Sequence, residues 1–248
     1  MYKMAAIFIL IGTMTFTANV FDVPIMSGVS IARAQENTEV KKLIDKARDY
    51  VIAGNNKEAI KIYTEAIQLD PENDWLYNYR STSYACLFNR KREAFADINK
   101  AIELNPNEMR HYEAKAELYR RYSQYGGAIK MYDWLIEQNP NEARYYHNRG
   151  WVYQLKGKKK LAAEDYKKYL SLWSRPEDDM RAAGDYCERG VTYRYLKDYE
   201  NAIKEFTKAI ELYPNVAAYY ELRGKCYKAI GDNARAQADF DKAKQLGG

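Results

Sequence analysis

The stretch Ala183–Val216, AGDYCERGVTYRYLKDYENAIKEFTKAIELYPNV, decides how the rest of the chain is read. Tyr186, Gly190 and Tyr193 stand at i, i+4 and i+7, so they share one face of a helix. Ala202, Phe206 and Ala209 repeat the spacing on a second helix, and Ile203 and Ile210 widen its apolar stripe. The polar run 197–201 between them makes the turn. Pro214 stops the second helix, because proline lacks an N–H and its ring clashes with the preceding turn. Such a helical hairpin has two apolar faces and too little bulk to bury them alone. It needs neighbours of its own kind.

The chain supplies them. Pro71, Pro106 and Pro140 punctuate it before Pro214, and six hairpins in phase begin near Val40, Asp74, Met109, Ala143, Ala183 and Ala217. The aromatic slot of the first helix holds Leu43, Tyr77, Tyr112, Tyr146, Tyr186 and Tyr220. Seven residues on stand Tyr50, Tyr84, Tyr119, Tyr153, Tyr193 and Tyr227. A small residue lies between the two slots: Ala47, Ser81, Ala116, Gly150, Gly190 and Gly224. In the second helix Ala59, Ala94, Ala128, Ala162, Ala202 and Ala236 share a slot, with Tyr63, Ile98, Tyr132, Tyr166, Phe206 and Phe240 four residues later. The repeat therefore absorbs most of the 24 tyrosines. Two copies depart from it. The second carries an extra residue near 89–92. The fourth runs on through 174–180, which predicts a longer helix or loop and a bend before the last two repeats.

Tyr186-x2-Arg189-Gly190-x2-Tyr193, Ala202-x3-Phe206 and Pro214 resemble the tetratricopeptide repeat family, a 34-residue helix–turn–helix unit. The resemblance covers residues 36–248. It implies an all-α fold, an α-α superhelix of six repeats, right-handed, with the first helices lining a concave groove that takes a partner segment. Carried over by phase, the groove candidates are Trp75 and Asn78, then Arg110, Glu113 and Arg120, then Arg144, His147 and Trp151, then Arg194, and last Lys225 and Lys228. The same phase takes in Thr82, Ala85, Glu117, Gln154, Gly184, Cys187, Val191, Ala218 and Glu221. None belongs to the predicted core stripe, and tryptophan is enriched at binding hot spots. Basic residues outnumber acidic ones there, so the expected ligand is an acidic or extended segment. The family's two-carboxylate clamp needs lysine and asparagine together in one repeat, and no repeat here has them.

Where the family favours leucine before the small residue, this chain has Lys46, Arg80, Lys115, Arg149, Arg189 and Arg223. The four arginines occur in the repeats that carry Asp97, Asp165, Glu205 and Asp239 before the second-helix aromatic slot. That co-occurrence predicts a paired charge inside each hairpin rather than a basic ladder for a ligand. The last repeat has Gln237 and Lys244 where the fifth has Ile203 and Ile210, so it is expected to end the array with a polar face.

The first residues read as a targeting segment. Lys3 precedes an apolar run, and Ala32-Arg33-Ala34 precedes a polar sequence, so residues 1–34 resemble a signal peptide cut before Gln35. The alternative is a membrane anchor over residues 4–21, which is long enough to span a bilayer although threonines dilute it. The mature chain, 35–248, would then be periplasmic or secreted, without a stable membrane span, and monomeric.

Chemistry is sparse. His111 and His147 have no metal-ligand spacing, and no phosphate-binding or nucleophile motif occurs. The three cysteines have no CxxC spacing and read as buried or half-buried helix residues. No cofactor or metal is implied, and an open solenoid groove does not suit an enzyme. A net charge of +5 on 39 basic and 34 acidic residues, with the tyrosines in packing slots, argues against nucleic acid. The expected function is a protein–protein interaction scaffold. The alternatives are a subunit held by its edges in an envelope assembly and, third, an RNA-binding helical repeat.

Overall fold

The computed structural model describes residues 28–87, 89–173 and 182–247, with side chains from Thr38 onward. Among them stand twelve helices and no strand. They are α1 (Gly28–Ile52), α2 (Asn56–Leu69), α3 (Asp74–Ala85), α4 (Lys91–Leu104), α5 (Met109–Arg121), α6 (Tyr125–Gln138), α7 (Ala143–Leu155), α8 (Lys159–Leu172), α9 (Ala182–Tyr195), α10 (Tyr199–Leu212), α11 (Ala217–Ala229) and α12 (Asn233–Gln245). Five of the six expected repeat starts match a helix start within one residue. The first does not: α1 begins at Gly28, upstream of Val40, and runs through the expected cleavage point at Ala34–Gln35. Residues 1–27, with the expected targeting run and anchor, lie outside the described residues.

Local sequence explains the helix ends. Asn55, Asp198 and Asp232 accept hydrogen bonds from the backbone N–H groups of Glu58, Asn201 and Arg235, satisfying donors that the first turn leaves free. Glu108 and Glu142 do the same for Arg110 and Arg144. The turns of five hairpins carry a left-handed residue, and Gly54, Gly157 and Gly231 supply it in three of them. Ser123 and Lys197 take that conformation without being glycine.

Each helix pairs with the next, and each hairpin leans on its neighbour. The core is a row of small residues against large ones: Ala47, Ala59, Ala94, Ala116, Ala128, Ala162 and Ala202 are fully enclosed, beside Ile98, Leu135, Tyr169 and Phe206. At Gly190 an added Cβ would come within 2.6 Å of the Phe206 ring, so only glycine permits that approach. Between α8 and α9 the direct helix contact is slight compared with other consecutive repeats. This is where the sequence predicted a longer helix or loop and a bend. Residues 174–181, which would form it, lie outside the described residues.

The four predicted arginine pairs are present. Arg80 binds Asp97 through Nε and Nη2, both at 2.8 Å; Arg149 binds Asp165 and Arg223 binds Asp239 in the same two-point manner. Arg189 binds Glu205 from Nε at 2.9 Å. The pairs do more than the sequence implied. The third nitrogen, Nη1, crosses to the preceding repeat, where Arg80 meets Thr64, Arg149 meets Asp133 and Arg223 meets Thr207. Each of these guanidiniums also sits between the two slot tyrosines of its helix, as Arg149 does between Tyr146 and Tyr153. Burial works against the charge on Arg149, yet Asp165 and Asp133 hold its pKa above the ordinary arginine value.

Two expectations need correction: that all three cysteines are buried or half-buried, and that Ile203 and Ile210, at positions the next repeat should cover, are both buried. Cys86 is exposed, at the end of α3, because the chain leaves the helix there. Cys187 is half-buried and Cys226 buried, and burial pushes the Cys226 thiol up to about 11. Ile210 is buried but Ile203 only half-buried, because the following helix covers one end of that face better than the other. Gln237 and Lys244 are exposed.

Candidate functional site

The groove candidates do not form one uniform surface. In the second repeat they are absorbed by the fold. Asn78, only 7% exposed, lies 2.7 Å from Nδ1 of His111, whose side chain is fully buried. Nε2 of His111 is 2.7 Å from Oδ2 of Asp74, which also accepts from Asn105. A neutral imidazole satisfies the set, donating from Nε2 to Asp74 and accepting from the Asn78 amide at Nδ1. The Trp75 ring lies edge-on to His111 at 5.1 Å and against Tyr79 at 5.7 Å. Asn78 and Ala85 are thus buried, contrary to the expectation that no groove position belongs to the core. The reason is that α3 and α5 touch directly, and the polar side chains between them had to pair. His111 was legible only as a helix residue without metal spacing. Its partners come from another repeat.

The basic excess of the groove is also reduced. Arg120 pairs with Glu117, Nε to Oε2 at 2.7 Å; Arg144 pairs with Glu142 at 3.1 Å; Lys225 pairs with Glu221. Arg110 lies over the Trp75 ring at 5.8 Å. Arg194 is half-buried, with its Nε buried and unpartnered. Lys228 is exposed, Glu113 half-buried.

The fourth and fifth repeats do build a cavity. His147, Trp151 and Gln154 of α7, Tyr166 of α8, and Glu188 and Val191 of α9 enclose about 320 Å³. Helix spacing puts His147, Trp151 and Gln154 on one face of α7 at i, i+4 and i+7. Trp151 is 40% exposed, with the Arg120 guanidinium 4.1 Å over its ring. Tyr166 donates to Gln154 Oε1 at 2.9 Å, which fixes the amide. His147 Nδ1 lies 3.7 Å from Glu188 Oε1, and its ring packs against Tyr169 at 4.9 Å. Burial lowers the His147 pKa; the Glu188 charge opposes that shift. The walls are mainly aromatic and aliphatic, with one carboxylate at the edge. Glu188 and Tyr166 were not among the sequence candidates. Glu188 does follow Cys187, a groove-phase residue, but Tyr166 was counted as core. Among the described residues no cluster of His, Cys, Asp or Glu could hold a metal.

With this geometry in view, comparison with known proteins defines the class. Patterns of the tetratricopeptide repeat match residues 45–73, 113–176, 185–216 and 217–246, more than half of the chain. The protein belongs to the tetratricopeptide repeat family, and its repeats mark a protein–protein interaction scaffold. A TPR repeat-containing protein of Methanocaldococcus jannaschii is 24% identical over 266 residues, covering 99% of this chain and 45% of the relative. A tetratricopeptide repeat and J domain-containing co-chaperone of Cryptococcus neoformans is 22% identical over 83% of this chain and 34% of its own length. The chain thus spans less than half of these relatives. Among solved structures, Pseudomonas aeruginosa PilF superposes with a TM-score of 0.65 at 16% identity, covering 86% of this chain and 93% of that one. The likeness shows a shared fold.

Proposed function

We propose that the protein is a non-enzymatic scaffold that holds an extended partner segment along its first helices, with one apolar side chain of that segment seated in the α7–α9 cavity. The observation that carries this reading is Trp151. A large ring left 40% exposed at the mouth of a 320 Å³ cavity is more available to a ligand than the half-buried Trp75, which packs on His111 and Tyr79. The pairing of Arg120, Arg144 and Lys225 with neighbouring carboxylates weakens the case for an acidic ligand in this groove. An aromatic or aliphatic anchor suits the walls better.

Peptides selected from a random library on the full-length protein test this. Those that bind should share an apolar anchor, and Trp151→Ala should weaken them by about 1 kcal/mol or more. Arg144→Ala, whose partner lies on its own helix end, should matter less. Unchanged affinity in Trp151→Ala would place the site elsewhere.

The proposed setting is outside the cytoplasm, as a monomer, after removal of residues 1–34. The support is the sequence pattern of that segment. Among the described residues no helix is long and apolar enough to cross a membrane. N-terminal sequencing of the purified protein decides between Gln35 as first residue and an intact Met1 in a membrane fraction.

A further inference from the structure

A second concavity lies on a different surface, between α8 and the α9–α10 turn. Lys159, Ala163 and Lys167 of α8 form one wall; Tyr195, Leu196 and Lys197 form the other; the crevice holds about 450 Å³. Residues four apart share a helix face, so Lys159 and Lys167 flank Ala163, about 12 Å apart along the axis. Among the described residues no carboxylate lines the crevice. None of the three lysines has an ion pair or hydrogen bond among the described residues. Of the nearby acids, Asp165 is held by Arg149 and Asp198 caps α10; Glu164, exposed on α8, makes no ion pair with the three lysines.

Each of the three lysines departs from the commoner pattern of the repeats, although the third repeat shares two of these departures through Ser123 and the uncapped start of α6. Lys197 adopts φ +63°, where Gly54, Gly157 and Gly231 occupy the same turn position at no steric cost. Lys167 stands where α2, α6 and α10 present Thr64, Asp133 and Thr207 to the next repeat's arginine. Arg189 lies instead over the Trp173 ring at 5.2 Å. Lys159 opens a helix whose N-cap, Lys158, makes no side-chain capping bond and whose first turn has no acidic residue. Cations there oppose the helix dipole. Lys156, Lys158 and Lys160 add to the same exposed cluster. Local departures that bring the fold no gain are expected at functional surfaces. Tyr195, on the same wall, has a buried hydroxyl with no hydrogen-bond partner among the described residues.

We infer that this crevice is a docking site for an acidic segment of a partner protein, separate from the groove on the first helices. Charge complementarity names the occupant: a chain with carboxylates about four residues apart, the 12 Å between Lys159 and Lys167 at about 3.3 Å per extended residue, and a small apolar side chain between them for Ala163 and Leu196. A recessed crevice with an apolar floor fits a protein segment better than the flat plane of a bilayer.

The probe is a fluorescein-labelled eight-residue peptide with two glutamates four apart and a central leucine, titrated into the full-length protein by anisotropy. Lys159→Gln/Lys167→Gln/Lys197→Gln should lower its affinity about tenfold or more, with steep weakening by salt. Lys57→Gln/Lys61→Gln, an equal kind of charge loss at a crevice beside α2 where Lys61 is already paired with Glu58, should change it less than about twofold. Lys197→Gly should move stability and binding in opposite directions, raising the thermal midpoint by about 2–4 °C while weakening the peptide. Equal losses in the two lysine sets, no peptide binding, or stronger lysine-dependent binding to phosphatidylserine vesicles or a single-stranded oligonucleotide would overturn the inference. Trp151→Ala, which tests the first groove, should leave this peptide's affinity unchanged.

Discussion

Tyr77, Tyr112, Tyr146 and Tyr220 show why a slot that any aromatic could fill holds tyrosine here. Each hydroxyl donates to the carbonyl of the proline six residues earlier, Pro71, Pro106, Pro140 and Pro214, at 3.0–3.1 Å. The ring packs against the arginine of its helix at Tyr77, Tyr146 and Tyr220 and against Trp134 at Tyr112, and it ties down the entry to the hairpin. Tyr146→Phe should therefore cost about 0.5–1.5 kcal/mol, the net value of one hydrogen bond. Tyr186 has no proline six residues before it, so Tyr186→Phe should cost less. The arginines sit in the same network. Asp165→Ala leaves Arg149, mostly buried, with Asp133 alone, and the expected loss is about 3 kcal/mol by thermal or chemical unfolding. A double-mutant cycle with Arg149→Met measures how much of it is the stranded charge. The glycines divide the same way. Gly190→Ala drives a Cβ into Phe206 and should cost about 1–3 kcal/mol. Gly126→Ala, in the first turn of α6 with nothing within 4 Å, should stabilise by about 0.4–1 kcal/mol.

Among the elements, α12 differs from the five second helices before it. Its outer positions Gln237 and Lys244 are exposed, where α10 turns Ile203 and Ile210 toward α11. A terminal repeat with an apolar outer face would recruit another copy. Gln237→Ile with Lys244→Ile should therefore shift the protein toward dimers in analytical ultracentrifugation, with helix content unchanged. An unchanged sedimentation profile would remove the proposed role of the polar outer face of α12. The α8–α9 step is the other distinctive element pair. Helix-on-helix contact is slight there, and rings bridge it instead: Tyr166 on Tyr195 at 4.9 Å, and Arg189 over Trp173. Both concavities lie beside this step, because incomplete packing between two helices leaves room at each side.

At the scale of the whole molecule, stability is a sum over neighbouring repeats, so a weak step divides it. Native-state hydrogen exchange is expected to show α1–α8 and α9–α12 opening as separate units. The His147 site at that step adds pH dependence. Its pKa is lower in the folded chain than in the unfolded one, so the unfolded state binds more protons below the ordinary histidine value of about 6.5. The resulting stability is fully present above that pH and is lost as pH falls through and below it. Glu188 faces His147 from α9 and Tyr166 and Tyr169 from α8, and the Glu188 charge limits the effect. Replacing His147 with Gln should flatten the fall in melting temperature between pH 7.5 and 5 relative to the unchanged protein.

The sequence by itself determined the repeat, its phase, five of the six hairpin starts, the four arginine–carboxylate pairs and the polar outer face of α12. These depend on spacings within about 34 residues, and helical periodicity makes them legible. It also determined a net charge too mild to suggest a charged surface, because an average over 248 residues hides a lysine cluster confined to one helix and one turn. Only the tertiary structure decided which groove residues are free. Asn78 was enclosed by His111, a residue 33 positions away, and Arg120 was drawn onto Trp151 in the next repeat. The irregular step before the fifth repeat was legible in the sequence, but only the tertiary structure showed that it leaves cavities on either side. Those outcomes depend on how one repeat sits against the next, a geometry that no spacing within a repeat encodes.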